Sequence, residues 1–145
     1  MTAFTAANPG GVWQGNGINA TTGAFNPSIA GAGIHEIIYT TPGSCGHADT
    51  IQVTVTAYDD PTILNTQNLF CVDHGDVPLQ TVQGGGVWTL VSGNALGLDA
   101  AIPTFNTTQG GVGTHVLRYS FGGQCPTSSD YTITCLLYTS PSPRD

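Results

Sequence analysis

The stretch Gly10-Gly11-Val12-Trp13 … Phe25-Asn26 … Gly33-Ile34-His35 … Tyr39 … Cys45 … Thr54 occurs a second time, as Gly85-Gly86-Val87-Trp88 … Phe105-Asn106 … Gly113-Thr114-His115 … Tyr119 … Cys125 … Thr134. Trp13 and Trp88 are 75 residues apart, while Phe25 and Phe105, His35 and His115, Tyr39 and Tyr119, and Cys45 and Cys125 are each 80 apart. The five-residue difference falls between the Trp and the Phe, where the second copy carries residues 90–102. A difference confined to one segment places a longer loop on a shared framework. Self-similarity at a fixed period means tandem modules. The chain therefore divides into two modules, and small modules in tandem rarely carry out chemistry.

Each copy reads as strands separated by turns. In residues 34–41, His35, Ile37, Tyr39 and Thr41 share one face. In residues 50–57, Ile51, Val53, Val55 and Ala57 point inward and Gln52, Thr54 and Thr56 outward, the period of two expected of a half-buried strand. The second copy repeats the pattern with His115, Leu117, Tyr119 and Phe121. Pro42-Gly43-Ser44-Cys45-Gly46 and Gly122-Gly123-Gln124-Cys125-Pro126 supply the turns. No long window carries a helical period. The expected fold class is all-β, with each module an antiparallel β-sandwich of short strands.

Composition narrows the function classes. The chain has 145 residues, a net charge of −7, 20 Gly and only 8% charged residues. It has no Lys, and its two Arg are Arg118 and Arg144. A chain this poor in cations cannot neutralise phosphates, so no nucleic-acid partner is expected. No apolar run approaches the length of a membrane span. No cofactor is expected, and no catalytic residues: no nucleophile motif such as Gly-x-Ser-x-Gly is present.

Four features invite a site reading. Each module has few core residues for its length, and a disulfide would help it. Cys71 with Cys125 is the expected pair, closing a loop worth about 4 kcal/mol in the chain-entropy account and implying an oxidising compartment. Two bridges among four Cys remain an alternative, with three connectivities. Asp59, Asp60, Asp73 and Asp76 form the densest acidic set and are the candidate Ca2+ ligands, although they lack a Ca2+-loop pattern and Asp-Pro starts turns for other reasons. His35 and His115 are expected to bond nearby carbonyls at strand ends, since one His per module gives no metal cluster. Trp13 and Trp88 are expected in the core, and an exposed Trp88 would instead favour sugar stacking. Asn19-Ala20-Thr21 and Asn106-Thr107-Thr108 are formal glycosylation sequons.

Together, Gly-Gly-Val-Trp, Gly-Asn-Gly-Ile (residues 15–18), the Gly-x-His strands, the Cys after each long strand and the closing strand Thr-Ile-Gln-Val-Thr-Val (residues 50–55) resemble the Ig-like, PKD-like repeats of large surface adhesins from gliding, type IX-secreting bacteria. The resemblance covers residues 9–57 and 68–134 and departs from the family at residues 90–102 and at Pro126. It implies Ig-like modules in a secreted or cell-surface protein, acting as stalk or adhesin, with neighbouring repeats of the same chain as partners and a surface glycan or protein as ligand. It implies no catalysis. The alternative is an accessory spacer or carbohydrate-binding module of a secreted hydrolase.

On this reading residues 1–58 are a repeat truncated at its N-terminus, because the counterpart of Cys71 would precede residue 1. Residues 59–67 are a linker and 68–134 a second repeat. Residues 135–145 read codon for codon as a translated sequencing adapter and are expected to be non-native, leaving Cys135 without a native partner. Within the 90–102 insertion, Leu90, Asn94, Leu98 and Asp99 are the candidate contact residues.

Overall fold

The structure is a computed structural model that describes residues 2–139. Residues 140–145, most of the tail read as non-native, lie outside the described residues. The chain forms two compact units, Met1–Ala57 and Tyr58–Asp145, and is predominantly β, as the alternating segments predict.

In the first unit, β1 (Thr2–Ala3) pairs with β3 (Ala24–Phe25). A second sheet has the order β2 (Val12–Gln14), β4 (Gly33–Thr40), β5 (Ala48–Val55), all antiparallel. Phe25, Ala30 and Ile37 are buried, with Phe4, Trp13, Ile18, Val53 and Val55 packed against that cluster. Burying an apolar side chain contributes roughly 1.5–3 kcal/mol before entropy is set against it, so three buried residues make a slender core.

The second unit repeats this plan with more strands. β7 (Asp76–Pro78), β10 (Thr104–Asn106) and β9 (Leu98–Asp99) form one sheet. The other has the order β6 (Leu69–Cys71), β12 (Thr127–Leu136), β11 (Gly113–Phe121), β8 (Val87–Ser92). β6 runs parallel to β12, with Phe70 opposite Cys135, while the other pairs are antiparallel. Phe70, Val77, Leu79, Trp88, Phe105, Leu117, Tyr119, Phe121, Tyr131, Ile133 and Cys135 form one core drawn from both sheets. Residues 59–67, expected as a linker, lie along this unit: Ile63 bridges to Thr81 and packs against the core.

Two short helices go beyond the sequence expectation. α1 (Pro27–Ala30) and α2 (Thr107–Gly110) follow β3 and β10 and are capped by Asn26 and Asn106, whose side chains accept from Ser28 N–H and Gln109 N–H. An Asn before a helix satisfies one of its free N–H groups. Each helix ends at a Gly with positive φ, 80° at Gly31 and 76° at Gly111, where a side chain would be strained. In sequence, Asn26-Pro27 reads only as a strand breaker, and four residues are too few to show a helical period.

Candidate functional site

The residues that recur between the copies pack and hydrogen-bond against one another in the same way in each unit. Tyr119 stacks on Trp88 at a centroid distance of 5.0 Å, as Tyr39 does on Trp13 at 4.6 Å. The Tyr119 hydroxyl accepts from Gly86 N–H and donates to Gln83 C=O, both at 2.8 Å. The Tyr39 hydroxyl accepts from Gly11 N–H and donates to Asn8 C=O, at 2.8 and 2.6 Å. The Gly-Gly-Val-Trp motif follows from this contact. A Cβ at Gly86 would lie 2.6 Å from Tyr119 Cζ, and one at Gly11 2.5 Å from Tyr39 Cζ, inside van der Waals contact.

The histidines behave as their position predicts. His115 is buried, and its Nδ1 accepts from Asn94 N–H at 3.1 Å. Its Nε2 therefore carries the proton and donates to Gly111 C=O at 3.1 Å. His35 makes the matching contact to Gly31 C=O at 2.8 Å. Each His closes the end of its short helix onto the following strand.

Several expected sites are dispersed. Cys71 and Cys125 do not form the expected bridge; all four cysteines are free. Cys71 lies opposite Leu136 at one end of β12, and Cys125 precedes Thr127 at the other. Ten residues at about 3.3 Å each separate the two ends, far beyond the span of a disulfide. The expectation fails because the opening strand pairs parallel to the last one, carrying its Cys away from the β11–β12 turn. Cys135, expected to lack a native partner, is a free thiol fully buried in the core, at the position held by Val55 in the first unit.

The four acidic residues also separate. Asp59 accepts from Gln83 Nε2 at 2.6 Å, and its carbonyl accepts from the Thr127 hydroxyl at 2.7 Å. Asp60 accepts from Thr62 N–H at 3.0 Å, and hydrogen bonds from Thr62 hold its carboxyl below the usual range. Asp73 and Asp76 sit around β7, near the other end of β12, where Asp76 accepts from Asn106 Nδ2 at 2.7 Å. The set therefore makes no joint Ca2+ site, and among the described residues no three His, Cys, Asp or Glu converge on a metal position.

The insertion has a structure of its own. Leu90 lies in β8 and Leu98 in β9, both packed against the core. Asn94 caps the 3-10 turn Ala95–Gly97 and binds Gln109 C=O. Asp99 accepts from Ala101 and Ile102 N–H. These four candidates build the loop. Its exposed apolar side chains are Val91, Leu96 and Ile102, the last two 73% and 67% exposed. The sequence gives no sign of them, because nothing in the spacing tells the Leu residues that turn into the core from those that turn out.

Trp88 is 4% exposed, which counts against sugar stacking there. The Asn106 sequon side chain is engaged at both ends, by Gln109 N–H and Asp76. Asn19 is exposed, and its Oδ1 caps Thr21 and Thr22 N–H. In the first unit, Phe4, Trp13, Tyr39, His47, Asp49 and Ile51 line a groove of about 290 Å³.

Among the described residues no helix is long and apolar enough to cross a membrane. Comparison with protein-family models and with curated proteins finds no match for this chain.

Proposed function

We propose that the chain is a piece of a modular extracellular surface protein in which Ig-like β-sandwich repeats act as stalk and adhesive surface, without catalysis. The observation that carries this reading is the duplicated frame: the same Trp–Tyr stack, Tyr–Gly contact and His–helix clasp are built twice in tandem. Fixed geometry in every copy with variation in one loop is what a spacer needs. The framework sets length and stiffness, and the loop is free to differ. In the second unit that loop presents Val91, Leu96 and Ile102, an apolar set suited to a protein or glycan surface. Fold does not supply function by itself, so the proposal rests on repetition and on the resemblance to surface adhesin repeats.

The test is surface labelling. Antibodies raised against the purified chain should bind intact cells of the organism carrying the gene, and brief external protease treatment should remove the signal. Labelling only after permeabilisation would overturn the reading. The spacer of a secreted hydrolase is distinguished by sequencing the source DNA past the Thr134 codon: further Gly-Gly-x-Trp modules favour the adhesin, a catalytic domain the hydrolase.

A further inference from the structure

β8 is the long edge strand of the second unit, and it lacks the features that keep an edge single. Among the described residues, the other edges of this unit are short or guarded. β6 has three residues, β7 carries Asp76 and Pro78, and β9 has two residues and carries Asp99. Short length, charge and Pro are the devices that prevent strand addition. β8 has six residues with no charge and no Pro, and no residue from 77 to 98 is charged.

The first copy shows what the insertion changes. There β2 has three residues and the chain folds back along it, so that Trp13 N–H donates away from β4 to Ala20 C=O at 3.0 Å. Trp88 stands opposite Tyr119 as Trp13 stands opposite Tyr39, so its main chain also points out of the sheet. Antiparallel alternation turns the main chain of Leu90 the same way. Among the described residues no backbone carbonyl takes the Trp88 or Leu90 N–H. The chain is described on both sides of β8, so the open edge belongs to the second unit itself.

We propose that β8 pairs antiparallel with β8 of a second copy of this chain, about a two-fold axis at Thr89. In that register Trp88 exchanges main-chain bonds with Leu90 of the second copy, and Leu90 with Trp88 of the second copy, which satisfies the outward N–H and C=O groups at both positions. Thr89 faces its own counterpart across the axis, and Val87 faces Val91. These side chains lie on the exposed face, with Val87 60% and Val91 49% exposed, and β-branched and Thr–Thr pairs stabilise adjacent strands. A two-fold axis sets like beside like. A chain of net charge −7 meets itself without repulsion only along an uncharged strand. The register shift at Val91, between the Leu90–Leu117 and Ser92–Val116 pairs, limits the pairing to residues 87–91. So short a contact falls below the area of a tight dimer, and the expected Kd is about 0.1 mM. The proposal rests on the geometry of β8 and stands whether or not the protein is an adhesin.

Sedimentation velocity on the whole chain under reducing conditions, from about 10 µM to about 1 mM, should show a reversible monomer–dimer equilibrium. Thr89 is exposed, so Thr89→Lys and Thr89→Glu leave the core untouched. Each sets two like charges on the axis and should weaken self-association at least about tenfold. An equimolar mixture of the two variants should dimerise again, because the charges on the axis are then opposite. Amide exchange followed by NMR should show Trp88 and Leu90 gaining protection as concentration rises. A monomer up to about 1 mM, undiminished self-association of both variants, a mixture that dimerises no better than either variant alone, or protection gained elsewhere but not at Trp88 and Leu90 would each overturn the proposal.

Discussion

Tyr119 holds the second unit together out of proportion to its size. Its ring fills the space left by Gly86, and its hydroxyl joins two backbone groups 33 and 36 residues away in sequence. Tyr119→Phe leaves a donor and an acceptor unpaired and should cost about 1–3 kcal/mol, read as a lower urea midpoint with an unchanged slope. Gly86→Ala drives a methyl group into the ring and should cost at least as much. The recurrence of Gly-Gly-x-Trp and Tyr in both copies makes these residues legible as framework, although the Gly and the Tyr stand 28 residues apart in one copy and 33 in the other, so the contact between them is not read from spacing. The cysteines are not legible in the same way, since their distance depends on a parallel pairing between the first and last strands. Burial raises the Cys135 thiol above its ordinary value. A thiol reagent at neutral pH should therefore modify Cys45, Cys71 and Cys125 in the folded chain and reach Cys135 only on unfolding. Modification of all four at one rate would contradict the burial of Cys135.

At the scale of elements, long strands are readable directly and short elements are not. β4, β5 and β11 alternate over eight or nine residues, enough to fix which side faces in. α1 and α2 are decided by a single Asn each. Asn106→Ala removes the cap on α2 and the contact to Asp76, and should cost about 1–2 kcal/mol by thermal unfolding. Little or no loss would show that the cap and the Asp76 contact contribute nothing to stability. The insertion is placed by the repeat offset, yet its sequence does not reveal that Leu98–Asp99 adds a strand to β10; two residues carry no alternation to read. Across β11 and β12, Arg118 and Asp130 make paired bonds of 2.7 and 2.8 Å. Chiefly through those hydrogen bonds, Arg118 lowers the Asp130 carboxyl. The stability this lends is present above the ordinary Asp value of about 3.9 and fades as pH falls through the lower folded value. Asp130→Asn should therefore flatten that part of the acid limb of the stability curve. An unchanged acid limb would show the pair contributes nothing, as many exposed pairs do.

The two units share a plan and differ in closure. Among the described residues, eleven buried side chains form the core of the second and three that of the first, and the first leaves the edge of β5 uncovered. Limited proteolysis should accordingly nick residues 1–57 before 68–134, and equal resistance would count against the difference in cores. The central claim is that both units are one framework, separated by what lies beside the last strand. Native-state hydrogen exchange on the isolated chain tests it at two amides, Thr54 and Thr134. They occupy the same position 80 residues apart, paired across β4 with Ile34 and across β11 with Thr114. The Thr134 amide is bonded to Asn68, next to β6, and the Thr54 edge has no such neighbour among the described residues. Thr134 should be protected and Thr54 exchange freely, while the amides that join β4 to β5 and β11 to β12 are protected in matching alternation. Equal protection of Thr54 and Thr134, or alternation in only one unit, would contradict the account.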